Sequence, residues 1–188
     1  NQTRTRSDRH GTSCSEKELG RVGRVAQRWE VANQMARRGT PLREGTRESK
    51  ASIILDSWAV LAWLQAEEPA NKTVKRILKD AAKGQRLVEM CVVNLGEVYT
   101  AILRARGLQL AEEVREALGQ APISVMPVRE PLAWRAAKLK ATYSLSYADT
   151  FAAALALERG TTLYTGDPEF IPLEKSEGLK VRWLAREI

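Results

Sequence analysis

Histidine is almost missing from this chain: its only copy, His10, lies in a polar leader, and residues 51–188 contain none. That excludes Ser-His-Asp and Cys-His nucleophile chemistry, paired-histidine nucleases and HExxH zinc sites from the part of the chain that looks foldable. Cysteine is equally scarce. Cys14 and Cys91 are the only two, too few for a disulfide framework or a zinc knuckle, and Cys91 reads as a buried thiol in the apolar run Leu87–Val93. No apolar run reaches the roughly 18–20 residues that span a bilayer. The polar start also lacks the apolar stretch of a secretory signal, so the expectation is a cytoplasmic protein with no membrane partner. An enzyme built from this sequence must work with carboxylates or lysines.

Charge is plentiful but uneven. The formal net charge is +7. Residues 1–50 carry 12 Lys/Arg against 6 Asp/Glu, whereas residues 51–188 carry 18 against 17. The basic excess therefore belongs to the leader, which is rich in Arg, Ser, Thr and Gly and reads as a solvated, poorly ordered extension with one short helix over Val22–Arg38. The expected organisation is a basic extension over 1–50 and one folded domain over 51–188.

From residue 51 the pattern changes. Ser52–Asp56 is a short apolar strand ending in an acid, and Ser57–Gln65 comes next as a helix. A helix starts near Pro69 and runs to about Lys83 with Val74, Ile77 and Leu78 inward, leaving Lys72, Lys75, Arg76, Lys79 and Lys83 as a solvated face. Leu87–Val93 and Ile123–Val128 read as strands. Helices are expected over Asn94–Arg106, Leu110–Leu118, Pro131–Tyr143 and Tyr147–Glu158, the last capped by Ser146 and ended by Gly160. Thr162–Thr165 gives a fourth strand and Leu179–Leu184 an edge strand. This alternation predicts a three-layer α/β/α fold with a mostly parallel sheet.

In such sheets ligands bind at the C-terminal strand ends, and four acids fall there: Asp56, Glu97, Asp149 and Asp167. Convergent carboxylates repel unless a cation joins them. Hard oxygen donors suit Mg²⁺ or Mn²⁺ rather than zinc, and one or two such ions can activate water and stabilise the oxygens of a phosphate undergoing displacement. Each acid also has a purely structural reading. Asn94–Glu97 and Ser146–Asp149 have the form of capping boxes, and Asp56 and Asp167 can each cap the turn of chain behind them. Desolvation favours the functional reading most for Asp56, which directly succeeds Ile-Ile-Leu.

Four segments carry a family resemblance. Ile53–Leu61 resembles the opening strand and helix of PIN domains, Val92–Val98 their second motif, Leu145–Ala154 their third and Leu163–Phe170 their fourth, in the family's order over nearly all of 51–188. The branch it is most similar to is the VapC-type toxins of type II toxin–antitoxin systems. The resemblance implies an Mg²⁺- or Mn²⁺-dependent endoribonuclease acting on structured RNA such as tRNA or rRNA, a homodimer, and a cognate antitoxin. It implies Asp56, Glu97 and Asp149 as metal ligands with Asp167 as a fourth. Ser57 and Thr165 stand where the family often has a polar residue orienting a ligand or water, although a cap or turn role suffices for each, and Glu169 is close enough to be a spare acid, although its position reads as a solvated turn. Trp58, Trp63 and Trp134 read as core or dimer interface.

The family's proteins usually begin near the position of Ser49, so the leader has no counterpart in these motifs. Its arginines suit contact with RNA phosphates or with the acidic pocket. Alternatives are a non-catalytic PIN-fold nucleic-acid-binding module and a structure-specific DNA nuclease, though flap-type DNA nucleases carry more acids and longer insertions. A haloacid-type phosphatase needs a second Asp two residues after the first, where this chain has Trp58.

Overall fold

A computed structural model of the protein describes residues 52–184; the basic leader, with the helix expected over Val22–Arg38, lies outside them. The first strand, β1 (Ser52–Leu55), is short and apolar because both its faces are covered. Ile53 and Leu55 enter one core and Ile54 the other, all three at most 3% exposed. Each such side chain contributes roughly 1.5–3 kcal/mol by leaving water. Asp56 then caps α1 (Ser57–Gln65). In α2 (Ala70–Ala82), Val74, Ile77 and Leu78 are buried, and the five basic residues from Lys72 to Lys83 are all exposed, as their spacing predicts.

Strand β2 (Leu87–Cys91) passes directly into α3 (Val92–Arg106). The β-branched pair Val92-Val93 extends the strand pattern in the sequence, yet Cys91 is the extended N-cap and Val92 is already helical and 43% exposed. Asn94 is therefore not a cap but the third residue of the helix, and Glu97 lies on its second turn, so the capping-box reading of this pair does not hold. Helix α4 (Leu108–Gln120), strand β3 (Ser124–Met126), helix α5 (Glu130–Thr142) and helix α6 (Tyr147–Arg159) come next. Strand β4 (Thr162–Thr165) leads through a single 3-10 turn, Pro168–Phe170, into the short α7 (Ile171–Ser176), two elements that the sequence pattern does not announce. Strand β5 (Val181–Trp183) closes the sheet and is shorter than the periodicity suggests.

The strand order is β3-β2-β1-β4-β5, and every pairing is parallel. Helices α1–α4 pack on the face that carries Ile53 and Leu55, and α5, α6 and α7 on the face that carries Ile54. Every residue from Ala148 to Ala156 in α6 is buried. The small residues Ala152, Ala153 and Ala154 suit this central position, where the helix lies against the sheet. The chain moves outward from β1 in one direction through β2 and β3, and in the other through β4 and β5. The reversal lies between β1 and β4, where Leu55 is registered with Tyr164, and a crevice is expected at the carboxyl ends of those two strands.

Candidate metal centre

Four sequence-selected acids lie at that crevice, and each is delivered by a different element. Asp56 leaves β1 and caps α1, its Oδ1 accepting the Ala59 amide at 2.8 Å. The structural role predicted for it is thus real, but it uses only one oxygen. Oδ2 is buried without a hydrogen-bond partner, and the residue as a whole is 0% exposed. Burial pushes the Asp56 carboxyl up to about 7; the nearby Thr165 hydroxyl and the Ala59 amide oppose the rise, and Asp149 and Asp167 add to it.

Asp149 is the third residue of α6. Its amide donates to the Ser146 hydroxyl at 3.1 Å, the expected cap. Burial pushes its carboxyl up to about 6; the Ser146 hydroxyl counters this, while the charges of Glu97, Asp167 and Glu169 reinforce it. Asp167 lies just after β4. Its amide donates to the Thr165 hydroxyl at 2.9 Å, and its Oδ1 accepts the Glu169 amide at 2.9 Å.

One carboxylate oxygen each from Asp149, Asp167 and Glu169 lie within 4.8 Å of one another. Glu169 is thus part of the cluster rather than simply a solvated turn residue: the 3-10 turn that begins at Pro168 folds it back beside Asp167. Asp56 and the half-buried Glu97 stand outside this trio but close enough to act on Asp149 or be acted on by it. No lysine or arginine among the described residues forms an ion pair with any of the five acids. An all-oxygen set in which burial raises the Asp56 and Asp149 carboxyls, with a buried Asp56 oxygen lacking a partner, fits a hard divalent cation.

The site also has a polar floor. Asn94, 0% exposed, donates from Nδ2 to the Ser57 hydroxyl at 3.2 Å and to the Ala148 carbonyl at 3.0 Å, while Ser57 donates to the Asn94 carbonyl at 3.2 Å. One carboxamide thereby ties together the residue after Asp56, the residue before Asp149, and the helix carrying Glu97. Its Oδ1 is buried without a partner. The signal for Asn94 is present in the sequence as a lone amide inside Val92-Val93-Asn94-Leu95, where only a satisfied polar group is tolerated. Ser57 and Thr165 are both buried, and both make hydrogen bonds at the site. The tryptophans divide: Trp63 is core, Trp58 is half-buried against the core and Gly166, and Trp134 is 64% exposed with its indole N–H on Glu130.

Comparison with known proteins gives a consistent answer. The fold is similar to that of a VapBC1 structure from nontypeable Haemophilus influenzae, at 17% identity and TM-score 0.54, covering 72% of this chain and 99% of the other. It is similar to Rickettsia felis VapBC2 bound to promoter DNA, at 11% identity and TM-score 0.53, covering 70% and 97%. It is also similar to Mycobacterium tuberculosis VapC20, a sarcin-ricin loop cleaving toxin, at 22% identity and TM-score 0.52, covering 64% and 93%. At these identities the likeness is one of fold. No curated protein matches the sequence. The sequence profile of the PIN domain matches residues 53–175, most of the described chain and all five of these acids, and the chain belongs to the PIN domain family.

Proposed function

We propose that this protein is a divalent-cation-dependent endoribonuclease that hydrolyses RNA phosphodiester bonds, and that it acts as the toxin of a type II toxin–antitoxin pair. The observation that carries the reading is the uncompensated oxygen set: Asp149, Asp167 and Glu169 mutually within 4.8 Å, beside a buried Asp56 whose Oδ2 has no partner. Burial favours the protonated form of two of these groups, pushing the Asp56 carboxyl up to about 7 and the Asp149 carboxyl up to about 6, and a bound cation would take the place of those protons.

Asp56, Asp149 and Asp167 would hold Mg²⁺ or Mn²⁺, with Glu97 and Glu169 acting directly or through water. When bound, the ion supplies Lewis-acid polarisation of the phosphate and lowers the pKa of attacking water. The chain's own contribution is geometric. Asp56 is closed off from solvent and is suited to holding an ion rather than shuttling protons. Asp167, Glu97 and Glu169 are more exposed and can accept hydrogen bonds from water at the mouth of the site. Asn94 fixes the helices that carry Asp56, Glu97 and Asp149 relative to one another. The folded domain contains no histidine, so proton transfer would fall to carboxylates or lysines, and these carboxylates are the groups at the site.

RNA as the substrate is supported by the likeness to VapC20, described as cleaving the sarcin-ricin loop. A cognate antitoxin is supported by the likeness to VapBC assemblies. A homodimer is the family expectation. The test is cleavage of labelled structured RNA, with a duplex DNA of equal length alongside, in Mg²⁺, Mn²⁺ or EDTA. Metal-dependent RNA cutting that Asp149→Asn abolishes is the expected result. DNA cutting in its place turns the reading to a DNA nuclease, and a protein that binds neither ion is not this enzyme.

A further inference from the structure

Among the glycines of the fold, Gly166 stands apart. A Cβ added at Gly96, Gly107, Gly119, Gly160 or Gly178 would meet open space. At Gly166 it would lie 2.3 Å from Cη2, 2.4 Å from Cζ3 and 2.5 Å from Cζ2 of Trp58, far inside the contact distance of carbon atoms. Gly166 is not among the positive-φ glycines, so its backbone is one that other residues adopt. Glycine is needed here for space alone, and Trp58 is what fills that space.

Both partners adjoin the site. Trp58 is two residues beyond Asp56 on the first turn of α1 and packs partly against the core. Gly166 lies between Thr165 and Asp167, at the start of the segment that brings Asp167 and Glu169 to Asp149. The edge of the indole therefore rests on the backbone that delivers two of the three clustered carboxylates. Hydrogen bonds from Asp167 to Thr165 and from Glu169 to Asp167 fix that segment internally, whereas the indole ties it to α1.

We infer that Trp58 is a positioning residue: its indole, seated on Gly166, sets the distance between the Asp56 side of the site and the Asp167–Glu169 segment, and with it the affinity for a divalent cation. The inference rests on the cation-dependent nuclease reading above and adds a residue outside the carboxylate set. Trp58 acts through the backbone at Gly166, and the sequence motif of acids does not include it.

The test is a double-mutant cycle in the full chain, with Gly166→Ala, Trp58→Leu and the double variant. Mn²⁺ affinity is read by titration calorimetry, RNA cleavage is read alongside, and thermal midpoints in EDTA serve as the folding control. Gly166→Ala is expected to weaken Mn²⁺ binding by about tenfold or more, and to have no further effect once Trp58 is Leu. Unchanged Mn²⁺ binding in Gly166→Ala overturns the inference, as does an equal loss in both backgrounds, since the cost would then belong to the glycine alone. If Gly166→Ala does not fold, a normally folded double variant supports the contact, and failure of both overturns it. A wild-type protein that binds Mn²⁺ while Gly166→Ala does so equally well removes only the positioning role. A wild-type protein that binds no Mn²⁺ removes the nuclease reading and this inference together.

Discussion

Two carboxylates are buried in this fold at almost the same depth, and they are treated in opposite ways. Glu89, 4% exposed in the middle of β2, faces the Arg159 guanidinium, with Oε1 at 3.3 Å from Nη2. Each leaves one oxygen without a hydrogen-bond partner, but Asp56, 0% exposed at the end of β1, has only the Ala59 amide and the nearby Thr165 hydroxyl to oppose its burial, and carboxylates rather than a cation around it. A buried charge must be paired or neutralised. Glu89 carries its counter-ion within the chain. Asp56 leaves that place open, at the strand reversal where this class of sheet binds ligands. The same desolvation physics thus separates an acid that the fold pairs from one that it leaves open to a cation, by whether the sequence supplies the partner.

The sharpest way to break that comparison is Asp56→Asn. Asparagine is also a good N-cap, so Oδ1 can keep the Ala59 amide, but the site loses a charge it needs only when a cation is present. RNA cleavage is expected to fall on the order of a thousandfold. Stability in EDTA should move the other way, with a direction set by pH. The Asp56 pKa is raised in the folded state, from 3.8 to about 7. The native protein therefore holds a proton that the unfolded chain has lost, and the stabilisation this gives is full below pH 3.8 and disappears as pH rises through about 7. Its size is on the order of 4 kcal/mol for this group alone. Wild-type protein in EDTA should lose thermal stability from pH 5 to pH 8, Mn²⁺ should restore it at the upper end, and Asp56→Asn should flatten the profile. A wild-type midpoint that rises over that range in EDTA would show that Asp56 already has a cationic partner.

The sequence makes one half of this contrast legible and hides the other. Asp56 comes directly after Ile53-Ile54-Leu55, and an acid behind such a run announces a cost that something must offset. Glu89 sits in an equally apolar run, Leu87–Cys91, but its partner Arg159 is at the far end of α6, and only the fold brings the two together. The four motif acids are readable because strand ends can be located from patterning. Glu169 is not, because its place depends on the single 3-10 turn after Pro168. The start of α3 is hidden for a local reason: Val92-Val93 has the composition of a strand, and the transition at Cys91 occurs without a loop or a breaker to mark it.

A smaller effect is expected from Glu89→Gln, on the structural side of the contrast. Neutralising one partner leaves the Arg159 guanidinium without its counter-charge. The side chain of Arg159 is 35% exposed, so solvent screens much of the loss. The expected destabilisation is about 1–2 kcal/mol, read as a lower denaturant midpoint, with Mn²⁺ affinity unchanged. Asp56→Asn and Glu89→Gln should therefore shift stability at pH 8 in opposite directions, although each replaces a buried carboxylate by its amide. Shifts of the same sign would mean that the two acids do the same job.

The smallest effect concerns the one hydroxyl that moderates the second raised carboxyl. Ser146 Oγ accepts the Asp149 amide at 3.1 Å, and the same hydroxyl holds the Asp149 pKa below where burial and neighbouring acids would put it. Ser146→Ala removes both effects. Loss of the cap costs about 1 kcal/mol of stability, and the Asp149 carboxyl rises further above about 6. A cation must displace that proton, so the pH at which Mn²⁺ binding reaches half its maximum should move up, while binding well above this range stays close to wild type. Ser146→Thr keeps a hydroxyl in place and should restore both cap and midpoint. If Ser146→Ala lowers stability but leaves the pH midpoint of Mn²⁺ binding where it was, Ser146 is only a helix cap. The acidity of Asp149 is then governed by its burial and by Glu97, Asp167 and Glu169 alone.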